Sequence, residues 1–371
     1  MCTRLFNNRH LEYLTTARNM DWATPLPTSL FVFQSGLEKS PFEDVEAGDY
    51  TPWTWTSEYS SVIAMVGEND NFAASDGMNS QGLVANVLYA NGTDYEIVNN
   101  KNTKQLSVLR WVQYVLDTCA CVKDVVQAFE HNQIELIGAT VPGSDKPAAI
   151  HLSVSDKIGE SAIFEVYKDD ADSPATFHIH YSGNLEDQSD VIQNTPCNVM
   201  TNEPSFDIQL KLNDYWLWQW SDRNDFPSRT IPGGPFPSDR FERATFYYNQ
   251  LIDSKSTDHI IYTMDITESL SQSKSIVANA SVPIGMGGFP GHPNIAPTIW
   301  TTLANHMDLV YYFGNARTPN LINVKMNEPM PKFDTLQLDL VIQKEKKFIN
   351  INYDGCVNSD LNESTDPFRV K

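Results

Sequence analysis

Apolar positions along the chain follow two periods. Short alternating or continuously apolar runs, bounded by turn residues, predict strands at Thr3 to Phe6, Tyr13 to Ala17, Leu30 to Phe33, Ser61 to Val66, Gly82 to Tyr89, Ala148 to Val154 and Ser161 to Tyr167. Three more follow at Thr298 to Leu303, Leu309 to Phe313 and Leu336 to Val341. Asn7-Asn8 is a turn signal between the first two runs, so the amino terminus is predicted to open as a hairpin. Spacing of three and four residues predicts helices over Lys104 to Asp117, where Leu106, Leu109, Val112 and Leu116 recur, over Val122 to Glu130 and over Arg240 to Asp253. A weaker helical pattern covers Asp207 to Trp220, and long loops are expected at Glu38 to Trp55, Lys168 to Asp190, Ser221 to Asp239 and Ser281 to Pro297. Sheet runs at both ends with helices between them fit a layered α+β domain rather than an alternating α/β one. No linker is polar enough to divide the chain, so residues 2–371 are expected to form one domain.

Composition adds exclusions. Hydrophobic residues make up 41% of the 371 and aromatics 11%, enough for a sizeable core. Forty-seven acidic against twenty-six basic residues give a net charge of -21, which repels phosphate backbones and anionic bilayers, so neither nucleic acid nor membrane is an expected partner. No stretch approaches the roughly 20 apolar residues of a membrane span, and the start lacks the charged and apolar regions of a signal peptide. The expectation is a cytoplasmic protein as written, or a periplasmic one if a signal was removed from a longer precursor. The five cysteines, at 2, 119, 121, 197 and 356, are too few and irregular for a disulfide framework or a zinc site. Cys119 and Cys121, read on a helix, should have one thiol buried and the other exposed.

The chemistry concentrates at the amino terminus. Cys2 is small enough for Met1 to be removed, which would leave one residue carrying both an α-amine and a thiol. An α-amine titrates close to neutral pH and can take the proton of its own thiol. Arg18 and Asp21 lie on the next strand-like run, Ala17-Arg18-Asn19-Met20-Asp21-Trp22, where a hairpin brings them beside Cys2. A guanidinium there favours a thiolate, and a carboxylate near the α-ammonium orients the amine. The same two residues would serve equally as an ordinary cross-strand ion pair.

Met1-Cys2-Thr3-Arg4, the Arg18 to Trp22 run, Thr201-Asn202-Glu203-Pro204-Ser205-Phe206-Asp207, and Ser238-Asp239-Arg240-Phe241 after a Gly-Gly-Pro loop together resemble the choloylglycine hydrolase family. That family holds penicillin V acylases and conjugated bile salt hydrolases. The resemblance runs in order from residue 2 to about residue 313. It implies an αββα sandwich of the N-terminal nucleophile hydrolase type, attack by Cys2 on an amide carbonyl, and a thioester acyl-enzyme. Asn202 matches the asparagine whose side-chain amide holds the oxyanion, Tyr89 the position whose backbone N–H is the second donor, and Arg240 the second active-site arginine. No cofactor or metal is implied, and a homotetramer is.

An aromatic residue at the Tyr89 position is similar to the penicillin acylases, whereas bile salt hydrolases resemble one another in having asparagine there. Gly77-Met78-Asn79, then Gly82-Leu83, is similar to the Gram-negative branch, which resembles penicillin V acylases and acylases of N-acyl homoserine lactones. Trp22 and Tyr89 are the expected walls for a phenoxyacetyl ring or a fatty acyl chain, and both would also suit core packing. The expected partner is thus a small-molecule amide, with conjugated bile salts as the alternative substrate. Two other classes stay open: a metal hydrolase using His178 and His180, which strand alternation puts on one face, and an inactive ligand-binding protein on the same fold.

Overall fold

The computed structural model describes residues 2–42, 53–93, 95, 103–130, 134–168, 173, 175–185, 190–221, 230–252, 264–285, 296–345 and 347–370. Parts of each predicted long loop lie outside these residues, and the predicted loop Lys168 to Asp190 is corrected, since it contains the strand Thr176–Tyr181.

Two large sheets make up the body. The first has the spatial order Val199–Thr201, Cys2–Asn7, Thr15–Asp21, Thr298–Asn305, Val310–Asn315, Leu321–Lys325 and Gly355–Cys356. It is antiparallel except at the last short pair. In the second, Thr176–Tyr181, Ser161–Tyr167, Ile150–Ser155, Val84–Tyr89, Asn71–Asn79, Ser61–Glu68, Thr28–Phe33, Thr335–Lys344 and Lys347–Asn350 follow one another, with Asn362–Glu363 also paired to Thr335–Lys344. Helices Pro237–Asn249 and Ile266–Asn279 cover the outer face of the first sheet, and Trp111–Thr118 with Val122–Phe129 cover the second. The layers run helix, sheet, sheet, helix, as expected. Strands such as Cys2–Asn7 and Thr15–Asp21 are buried on both faces, one against the facing sheet and the other under helices.

The predicted helix over Lys104 to Asp117 is corrected at its start. Lys104–Ser107 is a strand paired in parallel with Ile134–Ile137, and the α-helix spans only Trp111–Thr118. Ser107 makes the break, because its side chain accepts from the Leu109 N–H and caps a short 3-10 turn. Leu106, Leu109, Val112 and Leu116 are nevertheless all buried, so the spacing reports the inward face and not the element. Cys119 and Cys121 sit at the ends of the two helices and not within one; Cys119 is buried and Cys121 half-buried.

Two elements leave no hydrophobic signature. Asn71–Asn79 is buried along nearly its whole length and built of small and polar residues, so it shows no alternation. Ile266–Asn279 carries Ser269 and Ser273 on its buried face, where they bond to Thr15 across 2.9 and 2.8 Å.

Candidate active site

The amino-terminal hairpin places the chemistry. Cys2 pairs with Met20 and Arg4 with Arg18 across the first two strands, and Asp21 pairs with Thr298 on the following one. In this chain the Cys2 nitrogen is the peptide nitrogen joined to Met1, and it stands in for the α-amine that removal of Met1 would expose.

Every polar atom of Cys2 is engaged. Its N–H donates to Asn202 Oδ1 at 2.5 Å, its carbonyl accepts from Arg240 Nη1 at 2.5 Å, and its Sγ lies 3.5 Å from Arg18 Nη2. Asn202, just past the edge strand Val199–Thr201, is thereby brought 200 residues back to the hairpin. Its Oδ1 also accepts from Arg240 Nη2 at 2.8 Å, and its Nδ2 donates to the Tyr89 carbonyl at 2.6 Å. An amide nitrogen has two hydrogens, so one donor of Asn202 remains beyond that bond.

The Tyr89 peptide faces the same place. Ala90 N–H donates to the Ala149 carbonyl, so at Tyr89 opposite Ile150 the ladder is in its non-bonded phase and the Tyr89 N–H points away from Ile150–Ser155. The Val87 carbonyl points to the same side and accepts from Arg18 Nη2 at 2.7 Å. The Tyr89 N–H thus points to the side on which Arg18 meets the Val87 carbonyl, and Cys2, Arg18 and Tyr89 line one cavity.

The buried guanidiniums of Arg240 and Arg18 are each matched by a buried carboxylate. Arg240 Nη1 is 3.3 Å from Asp21 Oδ2, and Arg18 Nη1 is 3.7 Å from Asp76 Oδ2. Burial pushes the Asp21 carboxyl above its ordinary range, and Arg240 opposes the shift; Asp76 is raised by burial in the same way, with Arg18 opposing. Arg240 is wholly buried. Thr298 Oγ1 donates to Asp21 Oδ1 at 2.6 Å, so the carboxylate is held from both sides.

Asp76 is the participant that sequence reasoning missed. It accepts from Tyr311 Oη at 2.6 Å, Asn86 Nδ2 at 2.7 Å and Thr302 Oγ1 at 3.1 Å, which fixes it under Arg18. Ser75, beside it, accepts from Arg18 Nη1 at 3.2 Å. Nothing local in Ser75-Asp76-Gly77 signals this, because every partner is distant in sequence.

Cys2 and Arg18 line a cavity of about 520 Å³, open mouth included, whose other walls are nearly all apolar: Met20, Leu26, Val66, Ala74, Val108, Leu109 and Val141 among them. Trp22 and Tyr89 stand at it edge to face, ring centroids 5.4 Å apart. His178 and His180 are elsewhere: His178 stacks on Tyr167, and His180 is buried 4.0 Å from Asp207. Among the described residues no group of three or more potential metal ligands gathers, there or at Cys2. No helix of the described residues is long and apolar enough to cross a membrane.

Comparison with known proteins bears on the family and the fold. A sequence profile of the linear amide C–N hydrolases, choloylglycine hydrolase family, matches residues 2–175 and 184–338. A penicillin V acylase of Pectobacterium atrosepticum is 36% identical over 335 residues, 88% of this chain and 81% of that protein. The structure of penicillin V acylase from Agrobacterium tumefaciens superposes with a TM-score of 0.72 at 35% identity, covering 99% of both chains. A conjugated bile acid hydrolase from Clostridium perfringens, 16% identical, shares the fold with a TM-score of 0.67 over 96% of this chain and 98% of that one.

Proposed function

Because the chain belongs to the choloylglycine hydrolase family of linear amide C–N hydrolases, we propose that Cys2 is its nucleophile and that it acts as a penicillin V acylase, with N-acyl homoserine lactones as a second class of substrate. The observation that carries this reading is the grip on Cys2: nitrogen on Asn202, carbonyl on Arg240, sulfur beside Arg18.

The steps follow from that geometry. Once Met1 is gone, the α-amine takes the thiol proton and Arg18 steadies the thiolate. Sulfur attacks the amide carbonyl carbon, and the carbonyl electron pair moves to oxygen, which accepts from the Tyr89 N–H and Asn202 Nδ2. The oxyanion collapses, the C–N bond breaks, and the leaving nitrogen takes the proton held by the α-ammonium. Water then attacks the thioester, gives a proton to the amine, and releases the acid while the thiol reforms. Asp21 acts through Arg240, and Asp76 through Arg18, as positioning groups. The apolar pocket behind Trp22 and Tyr89 suits the acyl half, whether a phenoxyacetyl group or a fatty chain. The homotetramer implied by the resemblance belongs to the same proposal, and light scattering tests it; fractionation decides between the cytoplasm and, for a longer precursor, the periplasm.

The deciding experiment joins intact-mass analysis of active protein with parallel assays on phenoxymethylpenicillin, a medium-chain acyl homoserine lactone and glycocholate. A chain beginning at Cys2 that releases the amine of the first is the expected result. Full activity with Met1 retained would sink the mechanism, and turnover of glycocholate alone would move the substrate to conjugated bile salts.

A further inference from the structure

Cys2, Met20, Trp300 and Asn315 are lateral partners across four successive strands of the first sheet. With neighbouring strands about 4.8 Å apart, Asn315 lies about 14 Å from Cys2 along the sheet. At that distance the space between the sheets opens into a second cleft of about 900 Å³, open mouth included, bounded by Trp300 and Asn315 on one sheet and Val341 and Asn350 on the other. Trp22 and Leu26 are walls of both this cleft and the Cys2 pocket, so the two are neighbours.

Their linings differ in kind. The Cys2 pocket is walled almost entirely by carbon, whereas the cleft presents Asn315, Asn350 and Arg317. Asn315 ties the cleft together: its Nδ2 donates to Asn350 Oδ1 at 3.3 Å, and its Oδ1 accepts from the Arg317 backbone N–H at 2.9 Å. The backbone that carries Arg317 is thus pinned while its side chain is exposed, and the guanidinium has no ion pair among the described residues. In a chain of net charge -21, an arginine with no ion pair among the described residues, at the rim of a cleft adjoining the nucleophile's pocket, is available to an anion. The planar guanidinium fork matches a carboxylate in two parallel hydrogen bonds.

An amidase has to hold the two halves of its substrate on opposite sides of the scissile carbonyl. The apolar pocket takes the acyl half, which leaves the amine half facing past Trp22 toward the cleft. Resting on the acylase reading above, we propose that this cleft is the subsite for the amine half and that Arg317 receives a carboxylate carried by that half. The chain then selects amides of amino acids and carboxylated ring amines over neutral amides, N-acyl homoserine lactones among them, by charge as well as by acyl group.

The test compares phenoxymethylpenicillin with its methyl ester, which removes that charge and adds one methyl group, so the charge is read from how the ratio between the two changes with Arg317. In the wild type, kcat/KM for the acid is expected to exceed that for the ester by about tenfold, the difference lying in KM and shrinking as salt is raised. Arg317→Gln should bring the ratio to about one, and Arg317→Lys should keep part of it. A ratio unchanged in Arg317→Gln, with both substrates still cleaved, overturns the subsite and leaves the acylase reading standing. Failure of the wild type to cleave either overturns the acylase reading and the subsite with it.

Discussion

Arg240 Nη2 donates to Asn202 Oδ1 across 2.8 Å, and because a guanidinium can only donate, this bond fixes which end of the Asn202 amide faces where. The oxygen must turn to Arg240 and the Cys2 nitrogen, leaving Nδ2 for the Tyr89 carbonyl and for a substrate oxygen. Asn202→Ala removes that donor without disturbing the buried ion pairs. We expect kcat to fall by about a hundredfold to a thousandfold, equivalent to roughly 3 to 4 kcal/mol. Steady-state kinetics on phenoxymethylpenicillin decide it, and full activity in the variant would show that the oxyanion is held elsewhere.

Arg240 itself separates folding from catalysis. Its buried guanidinium meets the Cys2 carbonyl, Thr3 Oγ1, Asn202 Oδ1, the half-buried Pro235 carbonyl and Asp21 Oδ2. Arg240→Ala strands the Asp21 charge and should cost about 3 to 5 kcal/mol in urea unfolding. Arg240→Lys keeps the charge but replaces a five-donor fork with a point donor. It should unfold close to the wild type while kcat drops. If Lys preserved kcat, the geometry of the fork would be irrelevant and only its charge would matter.

How far the sequence reached depended on whether partners were close along the chain. The hairpin that sets Cys2 beside Arg18 was legible, since two strand-like runs and the positions of Arg18 and Asp21 lie within the first 21 residues. Asn202 and Arg240 were reached only through their family motifs, because nothing in local periodicity points across two hundred residues. Asp76 was not reached at all. It lies on a strand buried along nearly its whole length, where small residues erase the alternation that marks a half-buried strand. The helix Ile266–Asn279 was lost for a related reason. Its buried face packs Ser269 and Ser273 by hydrogen bonds, so hydrophobic spacing is blank there. Its start was readable, since Asp265 accepts from the Glu268 N–H in an Asp-x-x-Glu pattern.

Thiol labelling gives a site-resolved check on the nucleophile. Burial pushes the Cys119 thiol up to about 12 and raises Cys197 and Cys121 as well, so at neutral pH these three hold their protons. Cys2 lines an open cavity with Arg18 at 3.5 Å, and Cys356 is exposed on the surface. Iodoacetamide should therefore modify Cys2 and Cys356 and spare the rest, with loss of activity tracking Cys2 alone. Peptide mapping over a time course measures both. Inactivation that followed Cys356 instead would contradict the assignment.

Asp117 supplies a pH prediction that is independent of catalysis. The residue is buried beneath the second sheet, accepts from Trp55 Nε1 and Gln113 Nε2 at 2.8 Å each, and lies 3.9 Å from Lys39 Nζ. Burial raises its carboxyl to about 6, with Lys39 opposing. A raised folded-state value means that the folded protein holds a proton which the unfolded chain releases from about pH 4 upward. The contribution to stability is fully present below the unfolded value and is lost as pH rises to about 6, amounting to roughly 2 to 3 kcal/mol. An amide in place of this carboxyl cannot titrate, so Asp117→Asn should gain on the wild type by that amount between about pH 4 and pH 7 and then run parallel to it. Urea unfolding of both proteins across that range measures the difference. Parallel curves throughout would show that Lys39 holds Asp117 ionised in the fold despite its burial.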